Sequence, residues 1–149
     1  MADVPGRAVA QAARGWIGTP FHHRACVKQV GCDCIGLVHG VWREIGGPAE
    51  IALPVYAPEG PGIGDGDVLV EGLARHFRAL GGIPPTTGDV IAMRMARSGP
   101  VQHLGIITST EDGGRFVHAY SRRGVVETRL SDHWRAHIVA AFRMPVEGA

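Results

Sequence analysis

Hydrophobic positions follow helical spacing in the first part of the chain. Residues 5–16 are rich in alanine, Pro5 suits a first helical turn, and a Gly-Thr-Pro sequence follows. From Asp33 to Ile45 apolar residues recur at intervals of three or four positions, and Gly-Gly-Pro then ends the pattern. These patterns predict two helices, and Asp33 is a suitable N-cap for the second.

The pattern changes along the rest of the chain. Glycine and proline dominate residues 48–66, which predicts an irregular exposed loop, and a short amphipathic helix is predicted from Asp67 to Leu80. After Pro84 and Pro85 come five strand-like runs separated by turn residues: DVIAMRM, HLGIIT, RFVHAY, VVETRL and IVAAFRM. Helices followed by consecutive strands predict an α+β fold.

Composition narrows the class of protein. The chain has 149 residues, of which 45% are hydrophobic and 19% charged, and its net charge is +1 with histidine counted as neutral. These values predict one globular domain, residues 1–149. The basic residues are scattered, and no apolar run is as long as a membrane span, so neither nucleic acid nor membrane insertion is expected.

Two cysteines stand directly before the second helix, in the stretch GCDCIGLV. Cys34 there has three interpretations: part of a metal or disulfide pair, buried filler, or a nucleophile. The N–H groups of a helix N-terminus favour a thiolate, which lowers the pKa of a cysteine from about 8.5, and they can receive an oxyanion. A lone cysteine on an apolar stripe is more often simply buried.

The other two cysteines suggest no metal. Cys26 and Cys32 lie near His22 and His23, but a Cys-x-Cys pair lacks the usual zinc spacing, so neither a metal nor a cofactor is predicted. A disulfide between Cys32 and Cys34 would close a small, strained ring. Redox masking of Cys34 by Cys32 stays open.

Two histidines lie in consecutive predicted strands. His103 begins HLGIIT, and His118 lies in RFVHAY, with the STEDGG turn between them. On one face of an antiparallel pair they would touch, giving a base and the group that orients it. Taken singly, each is more often a structural histidine, and the other six histidines are assigned surface or structural roles.

The motifs GTPFHHRACVKQVGCDCIGLVHGVWREIGG, TGDVIAMR, QHLGIIT and FVHAY, in this order, resemble the NlpC-type cell-wall peptidases. These are papain-like cysteine endopeptidases of bacterial peptidoglycan, with N-terminal helices packed on an antiparallel sheet of about five or six strands. The resemblance runs from about Trp16 to Phe142. It is closest to the branch of phages and gene-transfer particles, because of the Cys-Asp-Cys triplet and the GVWRE run.

This resemblance implies a cysteine peptidase with Cys34 as nucleophile, His103 as general base and His118 as the residue that orients the base. The implied reaction hydrolyses an amide of the stem peptide, usually between D-glutamate and the diamino acid, through a thioester. Two residues depart from the pattern: Phe21 stands where many relatives have tyrosine, and Ile35 replaces a common serine.

Location and partners are also expectations. The segment MADVPGRAVAQAARGWIG does not read as a signal peptide, because it has an early acidic residue and interrupted apolar positions. The resemblance then implies synthesis in the cytoplasm and delivery on a phage-like tail tip or baseplate, with action in the periplasm of the target cell. The alternative is a catalytically weak or inactive papain-like plug or adaptor of the tail.

Overall fold

The computed structural model describes residues 6–51, 68–95 and 100–145. Within these ranges the chain forms four α-helices and eight β-strands. In chain order they are α1 (Gly6–Arg14), β1 (Cys26–Val27), β2 (Gly31–Cys32), α2 (Cys34–Glu44), α3 (Val68–His76), β3 (Arg78–Ala79), β4 (Val90–Met93), β5 (His103–Ser109), β6 (Arg115–Tyr120), β7 (Gly124–Arg129), α4 (Asp132–Arg135) and β8 (Ile138–Arg143). The predicted α+β class is confirmed.

Six of these strands form one antiparallel sheet in the order β3-β8-β4-β5-β6-β7. Between β5 and β6, Ile106 lies opposite Val117 and Ile107 opposite Phe116, before the register shifts ahead of Ser109. The β6–β7 pairing is regular along its whole length. This meander determines which side chains of the three strands share a face of the sheet.

The helices α1 and α2 pack against β5, on one face of the sheet. Leu104 and Ile106 belong to the core on this side, together with Trp16 and Leu37. Because side chains alternate along a strand, Ile107 instead joins a second core on the opposite face. The members of that second core are Ile91, Met93, Ile107, Phe116 and Leu130, with Trp134 packed against them.

Several elements differ from the sequence prediction. The helix predicted to reach Leu80 ends at His76, because Arg78 and Ala79 pair with β8 as an edge strand. The small β1–β2 hairpin and α4 were not predicted. The start of the predicted helix at Asp67, and residues 52–66 of the predicted loop, lie outside the described residues. None of the helices within the described ranges combines the length and apolarity that crossing a bilayer requires.

Candidate active site

The site begins where the hairpin runs into α2. Asp33 is the N-cap, as predicted: its Oδ1 accepts the Gly36 N–H at 2.8 Å. Its Oδ2 accepts the backbone N–H of Arg24 at 2.7 Å. The carboxylate is buried and joins the preceding loop to the first turn, which fixes Cys34 as the first residue of the helix.

Close packing of the hairpin on the helix depends on a glycine. A Cβ on Gly36 would overlap the carbonyl oxygen of Ala25. The same carbonyl accepts the backbone N–H of Asp33 at 3.3 Å. The backbone on both sides of Cys34 is therefore held by contacts that a side chain at position 36 would break.

The sulfur of Cys34 faces the sheet at β5. The backbone N–H groups of Leu104 in β5 and Ile35 in α2 lie near enough to favour its thiolate form. The residue is partly exposed. Since Leu104 follows His103, the structure places the predicted nucleophile beside the strand segment that carries the predicted base.

The charge state of Cys34 differs from the sequence expectation. Burial, and to a smaller extent the negative charge of Asp33, raise the pKa of the Cys34 thiol to about 12, although the backbone N–H groups act in the opposite direction. The expected lowering of this pKa is therefore wrong, because loss of hydration at the sulfur outweighs the helix N-terminus. At neutral pH Cys34 is a thiol.

The two predicted histidines are in contact. His103 Nε2 and His118 Nδ1 lie 2.6 Å apart, with the ring planes inclined at 77°. Continuing the β5–β6 register by one residue places His118 opposite Gly105, so His103 is its diagonal neighbour on the same face. The contact is thus diagonal rather than directly across the strands.

Both imidazoles are neutral at neutral pH. Burial lowers the pKa of His103 to about 4. Burial, together with the smaller effect of the neighbouring His103, lowers the pKa of His118 to about 3. Cys34 and His103 are therefore an uncharged thiol and an uncharged imidazole in the resting protein.

The sequence analysis missed the residues that surround the histidine pair. The second ring nitrogen of His118, Nε2, lies 2.8 Å from Thr128 Oγ1 in β7. Trp134 of α4 packs on both rings, with centroids 5.1 Å from His118 and 6.1 Å from His103. Thr128 lies two residues after Val126, so both side chains are on the same face of β7, and Val126 pairs with His118. The alternation along β7 can be read from the sequence, but the pairing of Val126 with His118 cannot.

The proton arrangement that a base at His103 needs is compatible with this chain of contacts. If His103 is to accept a proton at Nδ1, its neutral ring carries hydrogen on Nε2 and donates it to His118 Nδ1. His118 then carries its hydrogen on Nε2 and donates it to the hydroxyl oxygen of Thr128. The Thr128 hydroxyl can accept this hydrogen, so the contacts are compatible with the tautomer that leaves Nδ1 of His103 free to act as a base.

The sequence analysis also singled out Phe21, the cysteines and the question of a metal site. Phe21 packs against the main core and forms an isolated parallel bridge with Cys32. All three cysteines are free thiols. In the part of the chain that the structure describes, no group of three or more His, Cys, Asp or Glu side chains is arranged to hold a metal ion.

A cysteine at the start of a helix, packed on an antiparallel sheet that carries paired histidines, is a papain-like arrangement. Solved structures of NlpC/P60 proteins share this fold. A Bacillus cereus family member matches with TM-score 0.67 and 18% identity, over 97% of this chain and 41% of that one. A lipoprotein-like member from Staphylococcus aureus matches with TM-score 0.60 and 19% identity, over 99% of this chain and 44% of that one.

The NlpC/P60 domain of the peptidoglycan hydrolase SagA matches over 95% of this chain and 100% of its own length, with TM-score 0.55 and 19% identity. The chain spans less than half the length of the Bacillus and Staphylococcus proteins. No protein-family model and no curated protein matches the sequence. At these identities the likeness is one of fold, and it confirms the predicted papain-like α+β architecture.

Proposed function

We propose that the protein is a cysteine endopeptidase that hydrolyses a stem-peptide amide of peptidoglycan, between D-glutamate and the diamino acid. The observation that carries this proposal is that the Cys34 sulfur lies at a helix start, near the backbone N–H of Leu104. The preceding residue, His103, has its Nε2 2.6 Å from His118 Nδ1. The substrate class is supported by the structural neighbour SagA, which is a peptidoglycan hydrolase.

The neutral thiol and imidazole define the first step. As Cys34 Sγ attacks the scissile carbonyl carbon, Nδ1 of His103 takes the thiol proton, so that the charges form only during attack. Backbone N–H groups at the start of α2 receive the oxyanion. Collapse of the adduct breaks the C–N bond, the amine leaves with the proton from His103, and a thioester remains on Cys34.

The second step repeats this chemistry with water. His103 takes a proton from water, whose oxygen attacks the thioester carbonyl, and the proton returns to the sulfur as the acid product leaves. His118 touches only the second nitrogen of His103, so it is a positioning residue, and Thr128 in turn holds His118. Replacing His118 by Gln should therefore lower kcat less than replacing His103 by Ala.

The test is digestion of purified peptidoglycan by wild type and by Cys34→Ala, with mass spectrometry of the released fragments. Wild type should release muropeptides with a new D-glutamate terminus, and Cys34→Ala should release none while keeping its fold by circular dichroism. Cys26→Ala, which removes a thiol outside the site, is the matched control and should retain activity. Release of fragments by Cys34→Ala would refute the assignment of Cys34 as the nucleophile. If the wild type released no fragments, the alternative of an inactive plug or adaptor would be favoured.

Delivery on a phage-like tail belongs to the same proposal and rests on the Cys-Asp-Cys triplet and the GVWRE run. In this proposal the chain is made in the cytoplasm, assembles with tail-tip or baseplate proteins, and acts in the periplasm of the target cell. Proteomic analysis of purified tail particles from the source cells should find the chain at a fixed ratio to the tail proteins. Its absence from such particles would refute this part.

A further inference from the structure

The two cysteines that the mechanism does not use lie face to face. In the β1–β2 hairpin that leads into α2, Cys26 of β1 pairs with Cys32 of β2. The two positions are directly opposite each other in an antiparallel pair, so their side chains point to the same face. Both belong to the same apolar cluster, Cys32 as a buried member and Cys26 packed against it.

Backbone hydrogen bonds show which kind of pair this is. Cys32 donates its N–H to the Pro20 carbonyl and accepts the N–H of His22, each at 3.0 Å, so both of its backbone groups point away from β1. The next pair, Ala25 and Asp33, is joined by a hydrogen bond. Since hydrogen-bonded and non-hydrogen-bonded pairs alternate, Cys26 and Cys32 form a non-hydrogen-bonded pair.

This type of pair suits a disulfide. Residues of a non-hydrogen-bonded antiparallel pair have Cα atoms about 4.5 Å apart, with their side chains closer than in the other type. Disulfides span Cα separations of roughly 4.4–6.8 Å. Burial chiefly raises the pKa of the Cys32 thiol to about 12, and after the charge of Asp33 the nearby Cys26 is also a cause, consistent with this proximity.

The surroundings of the two thiols determine the order of attack. Cys26 is partly exposed, whereas Cys32 is fully buried. The Arg43 guanidinium lies 3.5 Å from the Cys26 sulfur and favours its thiolate, partly offsetting the burial that raises the pKa of this thiol. Cys26 is therefore the sulfur that an outside reagent meets first.

We propose that Cys26 and Cys32 form a disulfide across the hairpin when the protein meets a low-molecular-weight disulfide such as oxidised glutathione, leaving Cys34 as a free thiol. The Cys26 thiolate attacks one glutathione sulfur, which breaks the glutathione S–S bond and releases one glutathione thiolate. Cys32 loses its proton, attacks the Cys26 sulfur of the mixed disulfide and releases the second glutathione. The two protein thiols are oxidised by two electrons, and glutathione disulfide is reduced to two thiols.

The competing pairings are disfavoured by the same geometry. Cys34 follows Cys32 by two positions, and its sulfur lies near the backbone N–H of Leu104 in β5. A link from Cys32 to Cys34 would need the strained small ring. Oxidation of the hairpin pair thus removes the thiol that lies nearest to Cys34 in sequence, and Cys26 gives up its present hydrogen bond to the Gly36 carbonyl.

Trypsin separates the relevant thiols, because it cuts after Arg24, Lys28 and Arg43. The protein is incubated with oxidised glutathione, remaining thiols are alkylated with iodoacetamide under denaturing conditions, and the digest is read by mass spectrometry without reduction. We expect peptides 25–28 and 29–43 as one linked species, lighter by two hydrogen atoms than their sum, with fragmentation that puts the link on Cys32 and the alkyl group on Cys34.

Three other results would overturn the proposal: a link inside peptide 29–43, a link from Cys26 to Cys34, or complete alkylation of all three thiols. The Cys34→Ser variant is the matched control and should keep the linked species, whereas Cys26→Ser should lose it. The readout is the peptide map and not peptidoglycan cleavage, so the absence of the disulfide would not contradict the proposed function. Likewise, the absence of peptidoglycan cleavage would not contradict the disulfide.

Discussion

Acid should destabilise the protein through the buried histidine pair, and His118 makes this effect measurable. Burial lowers its folded pKa to about 3, whereas in the unfolded chain histidine titrates near about 6.5. As the pH falls below about 6.5, His118 therefore becomes protonated in the unfolded state but stays neutral in the folded state. The stability that His118 contributes is complete above this pH and is lost on the way down to about pH 3.

The size of the loss follows from these two values. Between about pH 7 and about pH 4.5, His118 alone should remove about 2–3 kcal/mol of unfolding free energy. In the His118→Gln variant this loss is absent, because an amide does not titrate, although Gln can still bond His103 and Thr128. Acid-sensitive groups that do not contact His118 act equally in both proteins, so the difference between their two pH dependences reports on His118 and its contact with His103.

The assay is urea unfolding followed by circular dichroism at both pH values, for wild type and for His118→Gln. Wild type should lose about 2–3 kcal/mol more than the variant on acidification. His133→Gln replaces an exposed histidine and is the control that should behave as wild type. Equal pH dependences for wild type and His118→Gln would show that His118 is not held neutral by burial.

Three further predictions concern the helix start and the base. Gly36→Ala should cost about 1–3 kcal/mol, because its Cβ meets a hairpin carbonyl, whereas Gly72→Ala, in open space within α3, should not destabilise in urea unfolding. Asp33→Asn keeps a cap but removes a charge that raises the Cys34 pKa, so the midpoint of the pH profile of iodoacetamide labelling should move down. Because His103 must be neutral, kcat/KM on muropeptides should fall as the pH drops through about 4.

Each of these has a contrary outcome. Equal stability of Gly36→Ala and wild type would mean that the hairpin does not pack on the helix start as described. A labelling profile of Asp33→Asn that coincides with that of wild type would remove Asp33 as a cause of the raised thiol pKa. An acid limb near about pH 6.5 would mean that His103 is hydrated in the working enzyme.

The features that could be predicted from the sequence are those determined by neighbours in the chain. Asp33 caps α2 through a hydrogen bond to Gly36, three residues away, and this local relation is visible as a residue pattern. The contact between His103 and His118 was also within reach, because one short turn joins their strands. The α+β class followed from the order of the periodic segments.

The features that escaped prediction depend on distant parts of the chain. Thr128 meets His118 only through the register of β6 and β7, and Trp134 arrives from a four-residue helix with no periodic pattern of its own. The two-residue strands β1 and β2 are too short for alternation to appear. The pKa of Cys34 depends on how much water reaches its sulfur, which packing decides and residue spacing does not show.

The raised thiol pKa changes the role that the helix N-terminus has in the proposed reaction. A thiolate at rest would already use the N–H groups near Cys34, and they would then stabilise the ground state as well as the transition state. With a neutral thiol and a neutral His103, negative charge first appears on the sulfur and on the carbonyl oxygen during attack. The preorganised N–H groups then act only on charge that develops in the transition state, which is where electrostatic stabilisation lowers the barrier.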